Sequence, residues 1–289
     1  DIDLGTLAST GAVSLTTTGT TGAATVVNAA ALDLAASTVN GNLIATATEG
    51  NLTDSGLVTV TGTSSFTTSE SDADIDLGTL ASTGAVSLTT TGTTGAATVV
   101  NATDLDLAAS TVNGNLLATA TTGGISQATD EVLTVTGTTG LTLVEANNDI
   151  DLGQAANDFT GAITVAGIVR DLGLRNAGTA VVATRPTNLH DLTLTWDNTV
   201  LDVGTTNLTG NLALSAGGDV TDSGVLTVAG TSSFASTLAG ADIIIDQLAS
   251  TGAVSLSTTG TSGAATVVNA TDLDLAASTV NGDLVATAT

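Results

Sequence analysis

The sequence predicts an all-β fold built as a parallel β-helix, a solenoid of short stacked coils, and three observations predict it. Long blocks of the chain repeat almost unchanged. Short apolar runs alternate with polar residues at a period of two, the spacing of strands that bury one face. Finally, the residues that usually anchor a globular core are nearly missing: three Phe, one Trp, no Tyr, no Met and no Cys. Ala, Val, Leu and Ile must then do the burying, and side chains that small favour layers lying close together.

The repeats set the organisation. Residues 1–48 recur at 74–121 with changes only at Ala30/Thr103, Ala31/Asp104 and Ile44/Leu117. A third copy fills 242–289, where Ile244-Ile245-Asp246-Gln247 replaces Asp76-Leu77-Gly78-Thr79. We divide the chain into repeat unit 1 (1–73), repeat unit 2 (74–148), a longer divergent unit 3 (149–241) and the start of unit 4 (242–289). The divergent unit holds all three Arg and the single Pro, His and Trp. Beginning at the head of one repeat and stopping inside another, the sequence reads as a window on a longer chain.

Within unit 1 the strands follow one another as Gly11-Ala-Val-Ser-Leu-Thr, Ala31-Leu-Asp-Leu-Ala, Gly41-Asn-Leu-Ile-Ala-Thr and Gly56-Leu-Val-Thr-Val-Thr. Val, Ile and Thr favour the pleated, half-buried surface of a sheet, and Gly, Asn, Asp and Ser punctuate the gaps. Asn40-Gly41, Asn113-Gly114 and Asn281-Gly282 are read as turns that accept positive φ. Between the copies, Leu52-Thr-Asp-Ser-Gly56 and Val220-Thr-Asp-Ser-Gly224 are one element with a conservative swap. No strand of this kind buries its face alone, whereas coils of about 20 residues wound in register share one core. The competing architecture is a series of β-sandwich repeats made from hairpins.

Charge narrows function. Three Arg and no Lys stand against 28 acidic residues, a formal net charge of −25. Nucleic acid is therefore an unsuitable partner, because affinity for it comes from neutralising phosphates. Such a surface keeps a protein soluble and calls for counter-cations, with calcium the expected one outside a cell. The absence of cysteine excludes a disulfide framework. No run reaches the roughly 18 apolar residues of a membrane span.

Two sets of residues are candidates for a site. The first comprises the Asp pairs Asp1/Asp3, Asp74/Asp76, Asp104/Asp106, Asp149/Asp151 and Asp272/Asp274. At i and i+2 on a strand both carboxylates face outward while the Ile or Leu between them faces the core, so stacking or lateral contact would gather hard oxygen ligands for calcium. The alternative is that they are solvated charges. The second set is Arg170, Arg175, Arg185, His190 and Trp196, which would form a glycan or protein contact patch if Trp196 were exposed beside the arginines. Otherwise Trp196 fills a wider coil and the arginines neutralise Asp171, Asp191 and Asp197. Phrases such as Thr59/Thr61 and Thr134/Thr136 would suit an ice-binding face only if they fell once per coil on one side, and they recur irregularly. A lone His and the absence of Gly-x-Ser-x-Gly give no catalytic set, so an enzyme is not expected.

Three phrases carry a resemblance: Gly41-Asn-Leu-Ile-Ala-Thr-Ala-Thr-Glu-Gly-Asn-Leu-Thr-Asp-Ser-Gly56, Ala155-Ala-Asn-Asp-Phe-Thr-Gly-Ala-Ile-Thr-Val165 and Asn188-Leu-His-Asp-Leu-Thr-Leu-Thr-Trp-Asp-Asn198. They resemble the repeats of filamentous-haemagglutinin-like proteins, large bacterial adhesins. The resemblance runs along essentially the whole chain and is one of style, with no invariant residue. It implies a right-handed β-helix, two-partner secretion across a Gram-negative outer membrane, an extracellular location on the cell surface, and work as an adhesin or surface fibre. Partners would then be glycans or proteins of a host or neighbouring cell, or other copies of the chain. It brings no catalytic residues. The expected function is a structural and adhesive stalk segment, with the bulk subunit of a cation-bridged filament or sheath as the alternative.

Overall fold

The computed structural model describes residues 1–289, the side chain of Ala155 excepted. Among the described residues there is no helix, and the strands stack as a parallel β-solenoid of about 14 turns in all. Partners in the ladders lie 19 residues apart at Ala24↔Leu43, 22 at Ile2↔Ala24 and 24 at Thr139↔Ile163. Hairpins would give antiparallel partners, so the sandwich alternative is excluded.

The chain divides into two compact units. The first comprises residues 1–149, 157–168 and 180–185; the second comprises 150–156, 169–179 and 186–289. In the first unit each turn contributes to two sheets. One stacks Ile2–Leu7, Ala24–Asn28, Leu43–Ala47, Ser64–Ser71 and Val86–Thr91 in register. The other stacks Ile75–Ser82, Ala97–Asn101, Leu116–Ala120, Thr139–Leu143 and Ile163–Ala166. The second unit repeats the scheme with Val169–Asn176, Leu192–Trp196, Leu212–Ala216, Ser232–Ala239 and Val254–Thr259 in one sheet, and Ile243–Ser250, Ala265–Asn269 and Leu284–Ala288 in another.

Sequence copy and turn do not coincide. Strand Ala24–Asn28 of the first copy lies in the first sheet, while its equivalent Ala97–Asn101 lies in the second. The 73-residue offset therefore corresponds to three and a half turns: equivalent residues of successive copies come out in different sheets.

Inward positions are Leu, Val, Ile and Ala, with Leu32, Val39, Leu77, Leu107 and Val135 fully buried. Phe66, Phe159, Phe234 and Trp196, which are all the aromatic residues, are buried too. A narrow core leaves its corners to polar devices. Asn101 is buried at the end of its strand, where its Oδ1 accepts the Ser82 N–H at 2.8 Å and its Nδ2 donates to the Ser82 carbonyl at 2.9 Å and the Asp104 carbonyl at 2.6 Å. The side-chain amide takes the place of a peptide group where the register slips between Val99 and Asn101. Asn28 bonds Ser9 and Asn269 bonds Ser250 in the same way.

Glycine occupies other corners for want of space. The Gly114 N–H donates to the Gly95 carbonyl at 2.7 Å and the Gly137 N–H to the Gly114 carbonyl at 2.9 Å, so backbone stacks directly on backbone. A Cβ on Gly114 would lie 2.2 Å from the Thr94 carbonyl oxygen. This corrects the reading of the Asn-Gly pairs as positive-φ turns: none of Asn40, Gly41, Asn113, Gly114, Asn281 and Gly282 has positive φ. Close approach of the turns explains the glycine. The Asn of each pair ties the coil, since the Asn113 Nδ2 donates to the Thr90 carbonyl at 2.7 Å while its own N–H donates to the Thr90 hydroxyl at 3.0 Å.

Two outcomes follow for stability, read by chemical denaturation. Asn101→Ala leaves the Ser82 N–H unpartnered, while the Ser82 carbonyl keeps the Thr103 hydroxyl at 3.1 Å, and is expected to cost about 1–3 kcal/mol. Gly114→Ala should destabilise the fold strongly, whereas Gly11→Ala, with nothing within 4 Å of the added methyl, should be nearly neutral; equal effects would contradict the close-stacking account.

Candidate functional site

The polar surface is built by one recurring move. Several strands are preceded by an Asp or Asn whose Oδ1 accepts the N–H of the residue beside it on the following turn. Asp1 takes Ala23 at 2.9 Å, Asp74 takes Ala96 at 2.7 Å, Asp104 takes Gly124 at 2.7 Å and Asn115 takes Thr138 at 2.9 Å. The first members of three of the five Asp pairs are thus backbone caps. All ten acids point outward or lie half-exposed, as the spacing predicts, with Ile75, Leu105 and Ile150 buried between their partners.

Stacking does not gather the pairs, which corrects one of the two expected routes. The second members meet hydroxyl residues on the neighbouring turn instead of further acids: register sets Asp3 beside Thr25, Asp76 beside Thr98 and Asp106 beside Ser126, whose hydroxyl donates to Asp106 Oδ1 at 3.1 Å. Asp151 turns to its own strand, accepting the Gly153 N–H at 2.9 Å and the Gln154 side-chain amide at 3.1 Å. The pair Asp272/Asp274 lies outside any strand, with Leu273 only half-buried between two exposed acids. Asp274 reaches the adjacent turn through its backbone, its carbonyl accepting the Val254 N–H at 2.8 Å. The half-turn in the repeat is the underlying reason, since it sends Asp3 and Asp76, equivalent in sequence, to different sheets of the first unit. Among the described residues, the one group of three or more metal-capable side chains is Asp171, His190 and Asp191. Neither Asp149 nor any other member of the pairs belongs to it.

Two further carboxylates act on the backbone. In the phrase shared by residues 52–56 and 220–224, Asp54 accepts the N–H groups of Gly78 and Thr79, each at 2.9 Å, and Asp222 accepts those of Asp246 at 3.0 Å and Gln247 at 2.9 Å. These N–H groups belong to bulges, where the ladder skips from Leu77 to Leu80 and from Ile245 to Leu248. Burial pushes the Asp222 carboxyl above its ordinary value, the N–H bonds oppose this, and the charge of Asp246 adds to it. Asp72, in left-handed backbone (φ 63°), accepts the N–H groups of Thr93 at 2.7 Å and Thr94 at 2.8 Å, which lower its pKa to about 2.

The five residues of the second set do not form one patch, although Arg170 and His190 share Asp171. Trp196 is 2% exposed and in register with Asn176 and Ala216, so it fills the core and offers nothing to a surface partner. Arg175 pairs with Asp197 at 2.9 Å and Arg170 with Asp171 at 3.0 Å. Arg185 belongs to the first unit, and burial pulls its guanidinium below the usual value. What the structure does assemble is a corner of the second unit. Register places Asp171, Asp191, Asn211 and Thr231 in one column on successive turns. The Asp191 N–H donates to Asp171 Oδ1 at 2.9 Å, Asn211 to Asp191 Oδ1 at 2.5 Å and Thr231 to Asn211 Oδ1 at 3.0 Å. His190 Nδ1 lies 2.9 Å from Asp171 Oδ1 and 3.4 Å from Asp191 Oδ1. Partial burial raises the Asp171 pKa, but the contact with His190, the Asp191 N–H and the charge of Arg170 outweigh it and hold the carboxyl below its usual value.

Sequence reading missed this corner because Asp171 and His190 are 19 residues apart and only the coil length brings them together. The same register builds a column of threonines, Thr46, Thr67, Thr89, Thr111 and Thr134, from phrases that look irregular along the chain.

Residues 21–89, 94–166 and 189–261 match a family described as repeats of unknown function, DUF5649. The chain belongs to that family. No curated protein and no solved structure matches it. The DUF5649 matches cover most of the chain and reach into the divergent unit, so that unit is a variant of the same repeat. None of this names an adhesin or a secretion route.

Asp72 gives a pH test. Its folded pKa lies below the ordinary 3.8, so its contribution to stability is fully present above about pH 4 and is lost as pH falls through about 2. Asp72→Asn should lower Tm at neutral pH, and the gap from the parent chain should close between pH 4 and 2; a gap independent of pH would show that the carboxylate charge is irrelevant.

Proposed function

We propose that this chain is a passive spacer, a repetitive stalk segment of a large bacterial cell-surface adhesin in which binding is conferred elsewhere. The observation that carries the reading is near-identical blocks spent on stacked turns, with side chains committed to closing the next turn. Asp54, Asp72, Asp74, Asp104, Asn101 and Asn113 all bond backbone of another turn. A binding protein varies its surface residues, whereas a spacer needs each turn to be a template for the next. The resemblance of the repeats to filamentous-haemagglutinin-like proteins supports an extracellular setting, and the charge of −25 supports a surface that stays apart from its copies. Among the described residues no helix is long and apolar enough to cross a membrane, which leaves β-barrels unaddressed. We attach no catalytic role to the chain.

The second reading, the bulk subunit of a self-assembling filament, is favoured by one observation. The outward residues Thr25, Val27, Ile44, Thr46, Ser65, Thr67, Ser87 and Thr89 of one sheet are uncharged in a strongly acidic protein, with Asp3 and Glu70 the acids beside them, so this stretch meets a copy of itself with little charge repulsion.

Duplicating residues 1–148, repeat units 1 and 2 and about seven turns, in the 289-residue chain should lengthen the particle by about 34 Å at about 4.8 Å per turn, measured by electron microscopy, with no loss of Tm. Sedimentation velocity should show a monomer whatever the protein concentration. A duplication that leaves the length unchanged overturns the spacer, and concentration-dependent growth selects the filament.

A further inference from the structure

We propose that Asp171, His190 and Asp191 form a zinc-binding site on the second unit. The donor set is one imidazole nitrogen and two carboxylate oxygens, ligands that zinc accepts. Their atoms lie within 4.8 Å of one another. In a tetrahedral zinc sphere neighbouring ligand atoms are about 3.3 Å apart, given bonds of about 2.0–2.1 Å. Two of the three separations are already close to this, 2.9 Å from His190 Nδ1 to Asp171 Oδ1 and 3.4 Å to Asp191 Oδ1. An ordinary hydrogen bond to a single carboxylate would account for one such approach; here a second carboxylate, from the neighbouring position on the next turn, faces the same nitrogen.

Three features prepare the site. Each oxygen is held by a backbone N–H, Asp171 by that of Asp191 and Asp191 by that of Asn211, so little side-chain freedom is lost on binding. Arg170 Nε lies 3.0 Å from the other oxygen of Asp171, Oδ2. Gly210 keeps the approach open: a Cβ there would lie 2.0 Å from Asp191 Oδ1 and 3.0 Å from His190 Cε1. The ring is 52% exposed, which admits an ion and leaves the fourth position to water.

His190 is the single histidine of the chain, so its ring gives one set of imidazole resonances in NMR. The 289-residue protein is titrated with Zn²⁺ alone, with calorimetry in parallel. One equivalent should shift the ring resonances, Asp191→Asn should weaken binding by about tenfold or more, and His190→Gln should abolish the tight phase while leaving the circular dichroism and melt unchanged. Ring resonances that move only at large excess, or an affinity indifferent to both Asp171→Asn and Asp191→Asn, would overturn the site in favour of diffuse carboxylate binding. Should an Asp variant fail to fold, the parent titration set against that of His190→Gln decides.

Discussion

The spacing between hydrogen-bonded strands of successive turns, about 4.8 Å, governs the rest of this structure. Every turn has to present its backbone to the next at that distance along its whole path, including the corners, where strands cannot continue. Glycine columns such as Gly95, Gly114 and Gly137 satisfy the constraint by removing the side chain, so that carbonyl meets N–H directly. Buried asparagines satisfy it by inserting an amide where the backbone turns away. Both devices are local, and both recur because the constraint recurs with each turn.

Acidity takes on a different meaning in this light. Many carboxylates that give the chain its charge are also acceptors for N–H groups of a neighbouring turn, at strand starts for Asp74 and Asp104 and at bulges for Asp54 and Asp222. A carboxylate is a strong acceptor and needs no donor in return, which suits a place where the backbone offers only N–H. The sheet faces carry mainly Thr, Ser, Val and Ile with a few carboxylates such as Asp3, Asp76 and Asp106, and the carboxylates that close coils sit at strand starts and bulges. Solubility and coil closure are thus served by the same residues.

The half-turn in the repeat shapes how variation reaches the surface. A substitution fixed in every copy emerges in alternate sheets of the first unit, so duplication of sequence does not enlarge a patch on one face. A patch grows only where register joins unlike phrases, as in the threonine column, or where a divergent stretch places new side chains on neighbouring turns, as at Asp171, His190 and Asp191.

The sequence by itself determined the strand content, the inward and outward alternation, the coil of about 20 residues and the burial of Leu, Val and Ile, because a period of two and a repeat are local properties of the chain. It also marked Asn113-Gly114 and the Thr-Asp-Ser-Gly phrase as special without revealing their roles. Only the tertiary structure decided that Gly114 answers a close approach rather than a positive φ, that Trp196 is core, that equivalent Asp pairs part company, and that His190 meets two carboxylates. The physical reason is the coil length: turns of 19 to 24 residues vary by a few positions, and each added residue moves every later side chain relative to the turn beneath it.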